Sequence, residues 1–200
     1  MKRFFLALAL SISLPALAIN PGQPAPDFTL TDTAGKTVKL SDLKGKYVVL
    51  EWVNPDCPYV RRHYNTANMP GLQKEFGAKN VAWLAINSTR EGHSEFKSPQ
   101  QMDAWMKKTG GAPAATLLDR DSKVGRLYGA ETTPHMYVID KTGKLVYMGG
   151  IDDKPSPDPE TLKTAKNYLV AALSDVKAGR PVTQAVTRPY GCSVKYASAD

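Results

Sequence analysis

The chain has 200 residues, 42% of them hydrophobic and 22% charged, with 26 Lys and Arg against 19 Asp and Glu for a formal charge of +7. This is enough material for one domain with a sizeable core and too little for two. The basic residues alternate with acidic ones and form no stripe with interleaved aromatics, so the composition argues against a nucleic-acid surface.

The first element is a targeting segment. Lys2 and Arg3 precede the apolar stretch FFLALALSISL, then Pro15 and the small-residue pattern Ala16-Leu17-Ala18, so residues 1–18 read as a secretory signal peptide cleaved after Ala18. The apolar stretch is roughly 11 residues, short of the ~20 that cross a bilayer. No second such run follows, and stable membrane insertion is not expected. Export predicts a periplasmic or secreted protein, and losing Lys2 and Arg3 lowers the formal charge from +7 to +5. The remaining chain divides into a domain over 19–180 and a C-terminal tail over 181–200.

PAPDFTLTD, AGK and TVKLSDL read as an extended segment and a hairpin turning near Gly35. KYVVLEWV, residues 46–53, is a continuous apolar run of strand length, consistent with a central strand covered on both faces. A helix is predicted from Pro58, with Pro70-Gly71 interrupting it before LQKEF. VAWLAINS, 81–88, is a second buried strand. Ser98-Pro99-Gln100-Gln101 carries a capping box for a helix that Gly110-Gly111 stops. ATLLD is a short strand, DSKVGRLYG a short helix, HMYVID a strand, and KTGK a tight turn into LVYMGG. Asp158-Pro159 should cap a long helix whose Leu162, Ala165, Leu169, Ala172, Leu173 and Val176 share one face until Gly179. The order predicts an α/β fold, with parallel strands joined by helices and an antiparallel hairpin closing the sheet.

The two cysteines are Cys57 and Cys192. In an oxidising compartment the default is a single bridge between them, and a structural staple and a redox pair look alike on this count. Position favours chemistry. Cys57 lies between the end of a buried strand and the first turn of a helix, where open α/β sheets place their ligands. A helix N-terminus favours a thiolate, and Arg61 and Arg62 follow within a turn. Such a role requires a reachable sulfur.

These residues, with Thr132-Thr133-Pro134 before a later strand, resemble the thioredoxin-like superfamily. The similarity is greatest to its redoxin branch, which holds the alkyl hydroperoxide reductase and thiol-specific antioxidant proteins and periplasmic thiol-disulfide oxidoreductases. PAPDFTLTDTAGKTVKLSDLKGKYVVLEWV is similar to that branch's N-terminal extension and first core strands, and the resemblance covers roughly 21–175. It implies a thioredoxin-like fold with Cys57 as the attacking cysteine and Pro134 as a cis-proline facing it. Thr133 would offer backbone groups to an extended substrate, and Glu51 would be a buried carboxylate that relays protons with a raised pKa.

Departures from the pattern shape the functional reading. Val60 stands where a Cys-x-x-Cys motif has its second cysteine, so the local dithiol is missing. Asn54 and Leu50 stand where peroxiredoxins carry a hydroxyl residue and a proline. A sulfenic acid or mixed disulfide on Cys57 needs a second thiol, and Cys192 on the tail is the expected resolving residue. Asn54 and Arg61 are candidate polarisers, and Tyr59 either rims a substrate or packs under the tail. No cofactor or metal is expected: Cys57, His63, His135, Met136 and Cys192 offer soft donors, but the paired cysteines of copper chaperones with this fold are absent. The expected partners are a hydroperoxide or a protein disulfide and an unidentified thiol reductant, with a slight lean to a peroxiredoxin-like role because the adjacent cysteine is missing. The alternatives are disulfide exchange and an inert Cys57–Cys192 staple.

Overall fold

The computed structural model describes residues 19–198; the expected signal peptide lies outside them. Seven strands form one sheet in the order β2-β1-β5-β4-β3-β7-β8, with β1 Thr29–Asp32, β2 Thr37–Lys39, β3 Tyr47–Trp52, β4 Val81–Asn87, β5 Ala115–Leu118, β7 His135–Ile139 and β8 Leu145–Gly149. β3, β4 and β5 run parallel, while the β3–β7, β7–β8, β1–β5 and β1–β2 pairs are antiparallel. The α/β arrangement and the thioredoxin-like fold expected from sequence are both present.

The strand period of two sorts the core. Val48, Leu50 and Trp52 face one side with Leu84, Ile86, Tyr128 and Tyr137, while Val49 and Val53 face the other with Cys57, Tyr64, Trp83 and Leu169. Glu51 belongs by alternation to the face of Val49 and Val53. The helices are α1 Pro58–Asn65, α2 Asn68–Ala78, α3 Pro99–Thr109, α4 Lys123–Tyr128 and α5 Tyr168–Lys177. The capping box of α3 is made in full: Gln101 N donates to Ser98 Oγ and Ser98 N donates to Gln101 Oε1.

Two helix expectations are corrected. The break between α1 and α2 falls at Ala67, in the left-handed region at φ 58, and Pro70 lies in the first turn of α2, where proline is tolerated. The single long helix after Asp158 is two pieces. Asp158 does cap, accepting from Glu160 N, but only a 3-10 turn over Pro159–Thr164 follows. There Lys166 N donates to Asp153 Oδ1 and Tyr168 N to Ile151 O. Backbone donors that would have continued the helix are satisfied by the 151–153 loop, and Asn167 caps α5 afresh by accepting from Val170 N.

Beyond α5 the chain returns along the edge of the sheet beside β8. Met148 N donates to Ala185 O and Thr187 N to Met148 O. The strand β9 Cys192–Ser193 then pairs antiparallel with β6 Thr132–Thr133, Thr133 opposite Cys192.

Candidate active site

The turn after β3 sets the position of Cys57. Asn54 Oδ1 accepts from Asp56 N at 3.0 Å, Cys57 N donates to Asn54 O, and the Cys57 carbonyl accepts the first helical bond from Arg61 N. Cys57 is therefore the N-cap of α1, with Pro58 in its first turn, as the sequence predicts.

Its thiol donates to the Thr133 carbonyl at 3.0 Å. The peptide bond from Thr133 to Pro134 is cis. Strand pairing lays Cys192 opposite Thr133, the residue whose carbonyl accepts from Cys57, so the two thiols adjoin. Both cysteines are free. Burial, and then the adjacent Cys57, push the Cys192 thiol up to about 12. The approach is so close that a Cβ on Gly191, at φ 127, would lie 2.0 Å from the Thr133 carbonyl oxygen. Only glycine admits this conformation and this contact together.

The sulfur is covered, whereas the chemical role requires it to be reachable. Cys57 is 1% exposed and sits in an apolar cluster against which Tyr59, Tyr190 and Cys192 pack. Tyr59 lies 5.9 Å from the Tyr190 ring, centroid to centroid, so it packs under the tail.

The two candidate polarisers are engaged elsewhere. Asn54 Nδ2 donates to Glu95 Oε2 at 2.6 Å. Arg61 donates to Pro55 O and to Asp56, which also holds Lys97. Neither bond reaches the sulfur.

Glu51 is fully buried between β4 and β7. It accepts from Tyr64 OH at 2.9 Å, Trp83 Nε1 at 2.8 Å and Gln73 Nε2 at 3.1 Å. Desolvation raises its pKa from 4.5 to about 7 against the opposing pull of those three donors. Because the folded carboxyl binds its proton more tightly than the unfolded one, this contribution to stability is complete below about pH 4.5 and is lost as pH rises through 7. Glu51→Gln keeps the shape and removes the titration. Between pH 5 and 8 the wild type should lose about 3 kcal/mol of unfolding free energy relative to that variant, read from paired urea denaturations; parallel pH profiles would refute the assignment.

Sequence reading passed over a buried polar cluster on the other side of α1. Arg62 and Asp152, with side chains 0% and 1% exposed, pair at 2.7 Å. Arg62 also donates to Lys154 O and Thr161 Oγ1. The tail's Tyr190 donates to Asp152 Oδ1 at 2.6 Å and accepts from Arg62 Nη2 at 2.8 Å. His63 lies 3.2 Å from the same hydroxyl, and burial and then the Arg62 charge lower its pKa to about 3, so it is neutral there. A doublet of arginines was the available signal, since helical spacing cannot send both to one environment. Among the described residues no group of three or more His, Cys, Asp and Glu gathers as a metal site would, and no helix is long and apolar enough to cross a membrane.

Known proteins resemble this chain in sequence and in fold. Residues 21–148 match the model of the AhpC/TSA family. The thiol-disulfide oxidoreductase ResA of Bacillus subtilis is 32% identical over 129 residues, covering 64% of this chain and 66% of that protein, so the chain spans just under two thirds of the relative's length. A hypothetical protein of Sinorhizobium meliloti superposes with a TM-score of 0.79 at 25% identity over 91% of this chain and 97% of its own. An exposed lipoprotein thioredoxin of Streptococcus pneumoniae superposes at 0.52, 30% identical, over 70% and 99% of the two chains.

Proposed function

Because the chain belongs to the AhpC/TSA family, we propose that it is a thiol-dependent oxidoreductase, exported, in which Cys57 and Cys192 cycle between dithiol and disulfide while reducing disulfides of other proteins. The observation that carries this reading is the placement of Cys192 against the Cys57 sulfur, opposite Thr133. The sequence leaned to hydroperoxide as the oxidant. Two features favour protein disulfides: Asn54 and Arg61 are bound to Glu95 and Asp56 and supply no polarising donor at the sulfur, and ResA is named for thiol-disulfide chemistry.

The steps balance as ordinary thiol exchange. The Cys57 thiolate attacks a substrate disulfide, the substrate S–S bond breaks, a Cys57–substrate bond forms, and the leaving thiolate takes a proton from solvent. Cys192, as thiolate, then attacks the Cys57 sulfur and releases the second substrate thiol. The substrate gains two electrons and two protons, the cysteine pair loses them, and an external thiol reductant restores the dithiol. The environment of Cys192 supports this order. Burial and then the neighbouring Cys57 hold the proton on Cys192, and the part due to Cys57 is lost once that sulfur is tied up in a mixed disulfide. Glu51, on the same sheet face, is the proposed proton store.

Stopped-flow mixing of the reduced protein with hydrogen peroxide and with a model disulfide tests the choice of oxidant. Exchange with the disulfide should be the faster reaction and should end in a Cys57–Cys192 bridge on non-reducing peptide maps. Rapid consumption of peroxide with slow exchange would reverse the assignment.

A further inference from the structure

Cys57 is covered by the tail, so a substrate disulfide reaches it only when that tail moves, and Cys192 resolves the mixed disulfide only when the tail returns. Several contacts hold the segment. Thr187 is pinned to β8 through Met148 O, Gly150 N and Tyr147. Val194 N donates to Glu131 O, and Tyr196 OH donates to Ala130 O. One contact differs in kind. Tyr190, half-buried and two residues before Cys192, places its hydroxyl between the carboxylate and the guanidinium of the fully buried Asp152–Arg62 pair.

Arg62 belongs to α1, the helix that Cys57 caps. The hydroxyl thus ties the segment carrying one thiol to the helix presenting the other. Two residues of chain reach at most about 7 Å, so while Tyr190 is bound Cys192 stays within a short swing of Cys57, with Gly191 as the pivot. On release, what holds Cys192 between Thr187 and Val194 is the two-residue ladder of β9 with β6 alone.

Resting on the oxidoreductase reading above, we propose that Tyr190 is the positioning residue of the thiol pair: its hydroxyl, held by Asp152 and Arg62, docks the C-terminal strand over Cys57 and so sets both how often Cys57 is reachable and how readily Cys192 closes the bridge. Hydrogen bonds to charged partners are the stronger kind, and losing this one shifts the docking equilibrium by about tenfold.

The test is Tyr190→Phe, which keeps the ring against Tyr59 and leaves the Arg62–Asp152 pair intact. In a Cys192→Ser background, iodoacetamide should alkylate Cys57 about tenfold faster in the phenylalanine variant. With both cysteines present, Cys192 should resolve a Cys57–glutathione mixed disulfide about tenfold more slowly, because there the adduct keeps the tail displaced and resolution waits on its docking. A role limited to general stability would leave that rate unmoved. The proposal is overturned if either quantity stays at its wild-type value, or if the faster alkylation has the denaturant slope of global unfolding, since strand release exposes far less surface. Both measurements read docking whether or not the chain turns over a substrate, so a wild type inert towards a model disulfide would sink the oxidoreductase reading separately.

Discussion

Cys57→Ser is expected to slow the reaction with a model disulfide by about 10³-fold or more, while the melting temperature moves by less than about 4 °C. The first effect follows from chemistry. A serine hydroxyl does not ionise in the working range, and no base bonds to residue 57: its described side-chain partners are the Thr133 carbonyl and the Cys192 thiol. The second follows from geometry, because a hydroxyl in the same place still donates to Thr133 O and the buried site keeps its hydrogen bond. Cys192→Ser should behave differently. It retains the first attack and accumulates a one-to-one mixed disulfide through Cys57, since the resolving sulfur is gone. Equal loss in both variants would mean that Cys57 does not act first. If neither thiol exchanges and the oxidised chain is simply more stable, by the ~5 kcal/mol that closing a loop of ~135 residues contributes in the chain-entropy model, the pair is a staple and the oxidoreductase reading is lost.

What the sequence discloses of this site is what local pattern can carry. Cys57 is legible because a β-rich apolar run ends just before a proline that opens a helix, and Ser98 because its capping box closes within four residues. Thr133 and Pro134 were found only through resemblance. Tyr190 and Asp152 were not found at all, and Arg62 was noted only as a charge near the thiol. Their bonds join residues 90 and 128 positions apart; the Arg61-Arg62 doublet says that the two differ in environment, but neither it nor IDDKPSPDPE says which arginine and which aspartate are wholly buried. The same long-range pairing explains the corrected helix. Leu162 and Ala165 continue the apolar period of α5, but the 151–153 loop takes the backbone donors of Lys166 and Tyr168, and tertiary pairing overrides periodicity. Whether the tail covers Cys57 stayed open for a related reason: strand β9 has two residues, and its partner lies 59 positions away.

Asp152→Ala should cost about 3 to 5 kcal/mol of unfolding free energy, a fall of about 10 °C in melting temperature for a domain of this size. The penalty comes less from losing an attraction than from stranding a charge. The Arg62 side chain is fully buried, and its Nε already has no partner. Without the carboxylate the cation would rest on one carbonyl and one hydroxyl, Lys154 O and Thr161 Oγ1, beside the Tyr190 and His63 contacts. Lys154 N and Tyr190 OH would each lose an acceptor as well. Removing the charge together with its partner separates the two causes. Arg62→Met combined with Asp152→Ala should recover part of the loss, because an apolar side chain asks nothing of the vacated site; a double variant at least as unstable as the sum of the singles would refute the stranded-charge account. Since Asp152 is also the acceptor for Tyr190, the single variant should loosen the tail before it unfolds the domain. Alkylation of Cys57 at temperatures well below the melting transition would register that loosening, and a site that stays closed until global melting would show that the buried pair supports the fold without governing the thiols.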